Sequence, residues 1–302
     1  MISLFDLHCD TFSELYKKQL TLDNHTLHIN AASASIFRPY FQVCSIWSDA
    51  RLSDEDAYLE YRKNLKYISN LGISFSTKLI QSDTSYILGI EDGRLLNNDL
   101  SRLNEIYNDG VRVLTLTWKG TSCIGGAWNT DLPLTEFGKQ VVSFCFDNKI
   151  CIDLSHSSLP VQKYVVNQAH CLGVSPIYSH SCAYDICQHP RNITNELFKE
   201  IVSLNGLVGV SLCPEHLCYD SNASIDSILL HIDHYLSLMG EDAIALGCDF
   251  DGVSHLPKEI NSIFELHELF YACNKHFGEN ITQKLFFSNV YRYFSTLLNE
   301  RS

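Results

Sequence analysis

No apolar run in this sequence reaches the roughly 20 residues of a membrane-spanning helix. The terminal Leu298-Asn299-Glu300-Arg301-Ser302 offers no hydrophobic anchor, and no signal-peptide pattern precedes Met1-Ile2-Ser3. Cationic residues are scarce: 22 Lys and Arg stand against 35 Asp and Glu, a formal charge of −13. That balance argues against nucleic acid and against anionic membrane as partners. There is no Cys-x-x-Cys pair, no Gly-x-Ser-x-Gly and no phosphate-cradling glycine loop, which removes the serine-elbow and nucleotide-loop readings. No linker or low-complexity segment interrupts the chain, so residues 1–302 are expected to form one domain.

Cysteine, by contrast, is plentiful at twelve residues. Cys9, Cys44, Cys151, Cys213 and Cys248 lie inside apolar strand-like runs, where cysteine acts as a small hydrophobe. A reducing, cytoplasmic setting is therefore expected rather than a secreted disulfide scaffold.

Apolar runs alternate with helical patterns throughout. Strands are expected at 2–9, 41–47, 86–91, 111–117, 151–156, 175–180, 206–212 and 243–249. Helices are expected at 53–71, 99–109, 135–148, 158–171, 194–204, 224–239, 263–277 and 279–299. Ser53, Thr135, Ser158 and Thr194 stand where N-caps belong, and Gly72 and Gly240 where helices end. Residues 12–40 carry little helical signal, and His25, His28 and Pro39 point to an irregular loop. Strict alternation with strands apolar on both faces signals a parallel sheet. Eight such strands favour a (β/α)8 TIM-type barrel.

The strand ends carry the chemistry. His8 and Asp10 close the first run, Glu91 the third, His156 the fifth, His180 the sixth and Asp249 the eighth. The βα loops of a barrel gather its strand ends around one mouth, so a metal site at the C-terminal rim is expected. His8 and Asp10 are two apart on a strand and share a face. Glu91 has two oxygens and can bridge two ions. Five ligands with one shared give three per ion, and a shared water completes the open tetrahedral arrangement of catalytic zinc. Manganese or cobalt would suit the same nitrogen and oxygen donors. His231 and His234 are expected on a helix surface, and His216, His255 and His267 in loops or on the surface. Asp251 is expected to serve a turn with Gly252.

Several stretches resemble the membrane (renal) dipeptidase family of binuclear zinc metallopeptidases, within the amidohydrolase-like barrels. They are Asp6-Leu7-His8-Cys9-Asp10-Thr11, Gly89-Ile90-Glu91, Val113-Leu114-Thr115-Leu116-Thr117, Ile152-Asp153-Leu154-Ser155-His156, Ser179-His180-Ser181, His189-Pro190-Arg191-Asn192 and Gly247-Cys248-Asp249-Phe250-Asp251-Gly252. They follow family order and span nearly the whole chain. The resemblance implies that His8, Asp10 and Glu91 hold one Zn2+ and that Glu91, His156 and His180 hold a second. It implies a zinc-bridged hydroxide as nucleophile, Asp249 as proton shuttle and Arg191 as the grip on a dipeptide's C-terminal carboxylate. Hydrolysis of dipeptides, with tolerance of a C-terminal D-residue, is the activity implied. Family members often dimerise, so a homodimer is a form to test.

Three positions depart from the family pattern. The histidine that follows the Thr-Leu-Thr run in better-known members, where it contacts the substrate carbonyl, is Trp118 here. An indole donates one hydrogen bond but cannot become cationic. Asp92 stands where a glycine is expected after Glu91, and Ser211-Leu212-Cys213-Pro214 lacks the family's aromatic-rich exit from strand seven. Two rival readings stay open: another C–N hydrolase acting on a small carboxylated amide or lactam, and a catalytically silent zinc-binding homologue.

Overall fold

The computed structural model describes residues 1–79 and 83–299. Eight parallel strands form one sheet in chain order: β1 (Ile2–Cys9), β2 (Phe37–Trp47), β3 (Thr84–Glu91), β4 (Val111–Thr115), β5 (Cys151–Asp153), β6 (Ile177–Tyr178), β7 (Leu207–Val210) and β8 (Ile244–Leu246). A parallel bridge between Cys9 and Phe250 joins the two ends. Asp10 N donates to Phe250 O at 2.9 Å there, and Asp249 N donates to His8 O at 3.1 Å. The result is the expected (β/α)8 barrel, with three of its prospective site residues at the closing seam.

The interior closes from the bottom upward. Phe5, Phe41, Ile87, Val113, Ile177, Leu207 and Ala245 form a buried cluster completed by Val290 and Phe294. Phe5 and Phe294 stack with centroids 5.5 Å apart. Burying each such ring contributes roughly 1.5–3 kcal/mol. The helix Asn289–Asn299 therefore covers the N-terminal end of the barrel and leaves the mouth at the other.

Helix starts follow the capping logic of the sequence. Ser53, Thr135, Ser158 and Thr194 each accept from the backbone amide three residues on. Gly72 takes the left-handed conformation after Asp54–Asn70. After Ile225–Ser237 the left-handed residue is Met239, not Gly240. Gly240 is required for space instead: a Cβ there would run into the Phe198 ring and Tyr235 O. Within 12–40, expected to be irregular, Thr11–Lys18 and Ala31–Ala34 are helical and β2 already begins at Phe37.

Strands β5 and β6 are shorter than the apolar runs that encode them, for a reason that bears on the site. Beyond Asp153 and Tyr178, the amides of Ser155 and Ser179 donate to the Asp153 carboxylate at 2.9 and 2.8 Å. Between β5 and β6 a side chain has taken the place of the neighbouring strand's backbone, whereas Ser181 N still reaches Gly209 O on β7 at 2.7 Å.

Candidate metal centre

All five prospective ligands meet at the mouth. His8, at the end of β1, has Nε2 3.5 Å from Asp10 Oδ2 and 3.6 Å from Glu91 Oε2. The other Glu91 oxygen, Oε1, lies 2.9 Å from His156 Nε2 and 3.7 Å from His180 Nε2. Glu91 thus divides its oxygens between two groups of donors, one from β1 and one from the ends of β5 and β6. Asp249 Oδ1 stands 3.8 Å from His8 Nε2.

The imidazoles are held by their far nitrogens. His156 Nδ1 lies 3.2 Å from the Trp118 carbonyl, which can only accept, so Nε2 carries the lone pair. His180 Nδ1 is 2.7 Å from Ser179 Oγ. His8 Nδ1 faces Ser45 Oγ and Ser179 Oγ, each at 3.4 Å. Fixing the remote nitrogen aims the other one at a cation. His156 and Asp249 both adopt left-handed backbone, φ 65° and 59°, a conformation that costs of order 1–3 kcal/mol and clusters at functional sites.

The donor set fits metal. His8 Nε2 and Asp10 Oδ1 are buried with no hydrogen-bond partner among the described residues. His156 Nε2 and His180 Nε2 lie 3.0 Å apart, both directed at an anionic oxygen. Lone pairs at that distance repel unless positive charge lies between them. Arg191 supplies some, since its Nη2 reaches His180 Nε2 at 2.8 Å.

The buried charges of the site also act on one another. Burial opposes a charged His8, yet Glu91 and Asp10 push its pKa well up. Burial likewise works against the Glu91 carboxylate, but His8 and His156 hold its pKa far below the usual range. Burial and then the Arg191 charge lower His156 to about 4. Burial, followed by the charges of His8 and Arg191, takes His180 well below its ordinary value. Burial and then the Glu91 charge raise Asp10 to about 7. Burial, with Asp10 and Glu91 adding to it, raises Asp249 well above the carboxylate range.

Above the donors opens a cavity of about 480 Å3, bordered by Trp118, Trp128, Arg191, His216, Asp249 and Gly252 among others. A second cavity of about 450 Å3 lies beneath the N-terminal ends of β5 to β7. Among the described residues, the closely spaced metal-capable groups are all at the mouth. They include Asp153 with His8 and His180. Its carboxylate is already engaged by Thr115 Oγ1 and Ser179 Oγ, both at 2.6 Å, and by two amides. Asp153 thus anchors Ser179, whose hydroxyl faces His180, a role its place in the Ile152–His156 motif did not reveal.

Other expectations need correction. His216 is buried at the cavity wall, its ring 4.7 Å from that of His189. His231 is buried too, accepting from Ala183 N at 3.0 Å with Leu217 O at 3.0 Å from its other nitrogen. Cys213 leaves the strand interior for the half-buried cavity rim. Asp251 does more than turn the chain: it accepts from Thr11 Oγ1 at 2.5 Å and His28 N at 2.7 Å, tying the 12–40 segment to the barrel. Asp92 takes φ 85°, a backbone conformation that favours glycine, and pairs with Arg94 Nε at 3.1 Å.

The model of the membrane dipeptidase family, peptidase family M19, matches residues 1–301. Dipeptidase aclJ of Aspergillus oryzae is 32% identical over 195 residues, which is 61% of this chain. The match spans 44% of that relative, less than half its length. Among solved structures, the metallopeptidase dipeptidase AC of family M19 superposes with a TM-score of 0.89 at 22% identity, covering 98% of this chain and 99% of that one. A Rhodobacter sphaeroides metallopeptidase, solved with a phosphinate mimic of L-Ala-D-Ala, gives 0.85 at 22% identity over 97% and 98%. At such identities these two structures speak to the fold.

Proposed function

Because the chain belongs to the membrane dipeptidase family, we propose that residues 1–302 act as one metal-dependent dipeptidase unit. The observation that carries the reading is the division of Glu91: one oxygen turned to His8, the other to His156 and His180, with Asp10 completing the first group. His8, Asp10 and Glu91 would hold one Zn2+, and Glu91, His156 and His180 the other. Bound there, the metal pair would supply a water acidified to near-neutral pKa and a Lewis acid for the scissile carbonyl.

The chain's own residues do the rest. Arg191, buried at the cavity wall, offers a planar fork to the C-terminal carboxylate of the substrate. Asp249 accepts the proton released by the attacking water and returns it to the departing amine. Trp118 borders the substrate space without the charge a histidine would bring. The L-Ala-D-Ala mimic bound by the R. sphaeroides protein supports acceptance of a D-residue at the C-terminal position. Twelve unpaired cysteines suit a reducing compartment, and no helix among the described residues is long and apolar enough to cross a membrane.

Metal analysis combined with a panel of L,L and L,D dipeptides and their C-terminal amides tests the reading. Two zinc ions per chain and cleavage of free but not amidated dipeptides are expected. Equal cleavage of both forms would remove Arg191 from its role, and undiminished turnover in Asp249→Ala would remove the shuttle. Cleavage of lactams or N-acyl amino acids in preference to dipeptides would favour the wider C–N hydrolase reading. Sedimentation of the purified protein tests the homodimer.

A further inference from the structure

The chain contains three tryptophans, Trp47, Trp118 and Trp128, and all of them line the cavity at the mouth. Trp47 is the last residue of β2 and stands in register with Glu91. Trp118 lies just beyond β4, where its carbonyl faces His156 Nδ1 at 3.2 Å. The two indoles meet edge to face, centroids 5.3 Å apart and planes crossed at 60°. The Trp47 Nε1–H is buried with no acceptor among the described residues. A corner of this kind offers a third ring both a face and an edge, the contacts aromatic rings favour.

The barrel's order says which part of a substrate meets that corner. β2 and β6 stand on opposite sides of an eight-stranded ring, and Arg191 lies in the segment that follows β6. A dipeptide held by its carboxylate at Arg191, with its peptide bond over Glu91, sends its N-terminal residue towards β2, where Trp118 packs against Trp47. Glu14, a carboxylate on the same rim, is already paired with Lys17 and Lys18 at 2.9 Å each. Lys119, exposed beside Trp118, adds a cation that disfavours a basic side chain. Building on the dipeptidase reading, we infer that Trp47 and Trp118 form the pocket for the N-terminal side chain and select aromatic over small side chains.

The test compares phenylalanyl-glycine, alanyl-glycine and lysyl-glycine as substrates of the zinc-loaded protein and of Trp118→Ala, Trp118→Leu and Trp47→Leu. In the unmodified protein, kcat/KM for the phenylalanyl substrate should exceed that for the alanyl one by about tenfold or more. The ratio should fall towards one in the variants, chiefly through KM, because the pocket binds ground and transition states alike. Trp118→Leu retains apolar bulk should the alanine variant fold poorly. Equal or better cleavage of the alanyl or lysyl substrate overturns the inference, as does a ratio that survives at both tryptophans. Failure to cleave any of the three removes the dipeptidase reading itself, a result recognisable because it is blind to the side chain.

Discussion

Ser179 gives its hydroxyl proton to Asp153 at 2.6 Å and, from the same oxygen, faces His180 Nδ1 at 2.7 Å. One buried carboxylate thereby holds the orientation of a prospective metal ligand through an intervening serine.

Removing that carboxylate should cost both stability and metal. Asp153 accepts four hydrogen bonds from wholly buried partners. Asp153→Ala should destabilise the fold by about 3 kcal/mol, since the abandoned donors stay buried. It should also weaken metal binding by roughly 10- to 100-fold. Denaturant unfolding and zinc titration of the same preparation measure the two effects. Unchanged affinity alongside lost stability would leave Asp153 a structural residue only.

Gly252→Ala separates the site from the fold. A Cβ at Gly252 would overlap Asp10 Oδ2 and Asp249 Oδ1, both at the ends of short side chains that can rotate away. Stability should change by less than about 1 kcal/mol, while turnover falls by about 100-fold or more as the two carboxylates leave their places. Thermal unfolding with kcat on one dipeptide checks both halves. A variant of full activity would mean that neither carboxylate needs its observed position.

Acid should weaken the fold through a histidine remote from the prospective ligands. Burial lowers His231 to about 4, whereas the unfolded chain protonates near 6.5. Between those values the unfolded state binds the extra proton, so stability falls as pH drops from 6.5 towards 4 and this contribution levels off below. The loss is on the order of 3 kcal/mol. Urea midpoints across that window for the natural protein and His231→Gln should converge at low pH.

Much of this was legible before any coordinates because strand ends and caps are local signals. A side chain two residues from another on a strand shares its face wherever the strand lies, so His8 and Asp10 could be paired on sight. The misread positions depend on what other segments bring. His231 looks like a surface residue on its helix until Ala183 and Leu217 arrive from elsewhere to satisfy its ring. Asp153 sits within an apolar run, and its value comes from Thr115 and Ser179 on neighbouring strands. At Gly240 the usual helix-end argument failed because packing had a prior claim: Phe198 stacks on Tyr235 with centroids 4.3 Å apart and leaves no room for a side chain. Trp47 closes a strand as the prospective ligands do, but an indole there reads as core until the cavity beside it is seen.

The gathering of every indole at the barrel mouth makes the protein its own optical probe. Excited where tryptophan alone absorbs, so that the fifteen tyrosines stay dark, its ultraviolet emission should originate beside the cavity, with no distant indole to dilute it. Quenching or a spectral shift on adding an inert substrate analogue would then report occupancy directly, in an unlabelled sample.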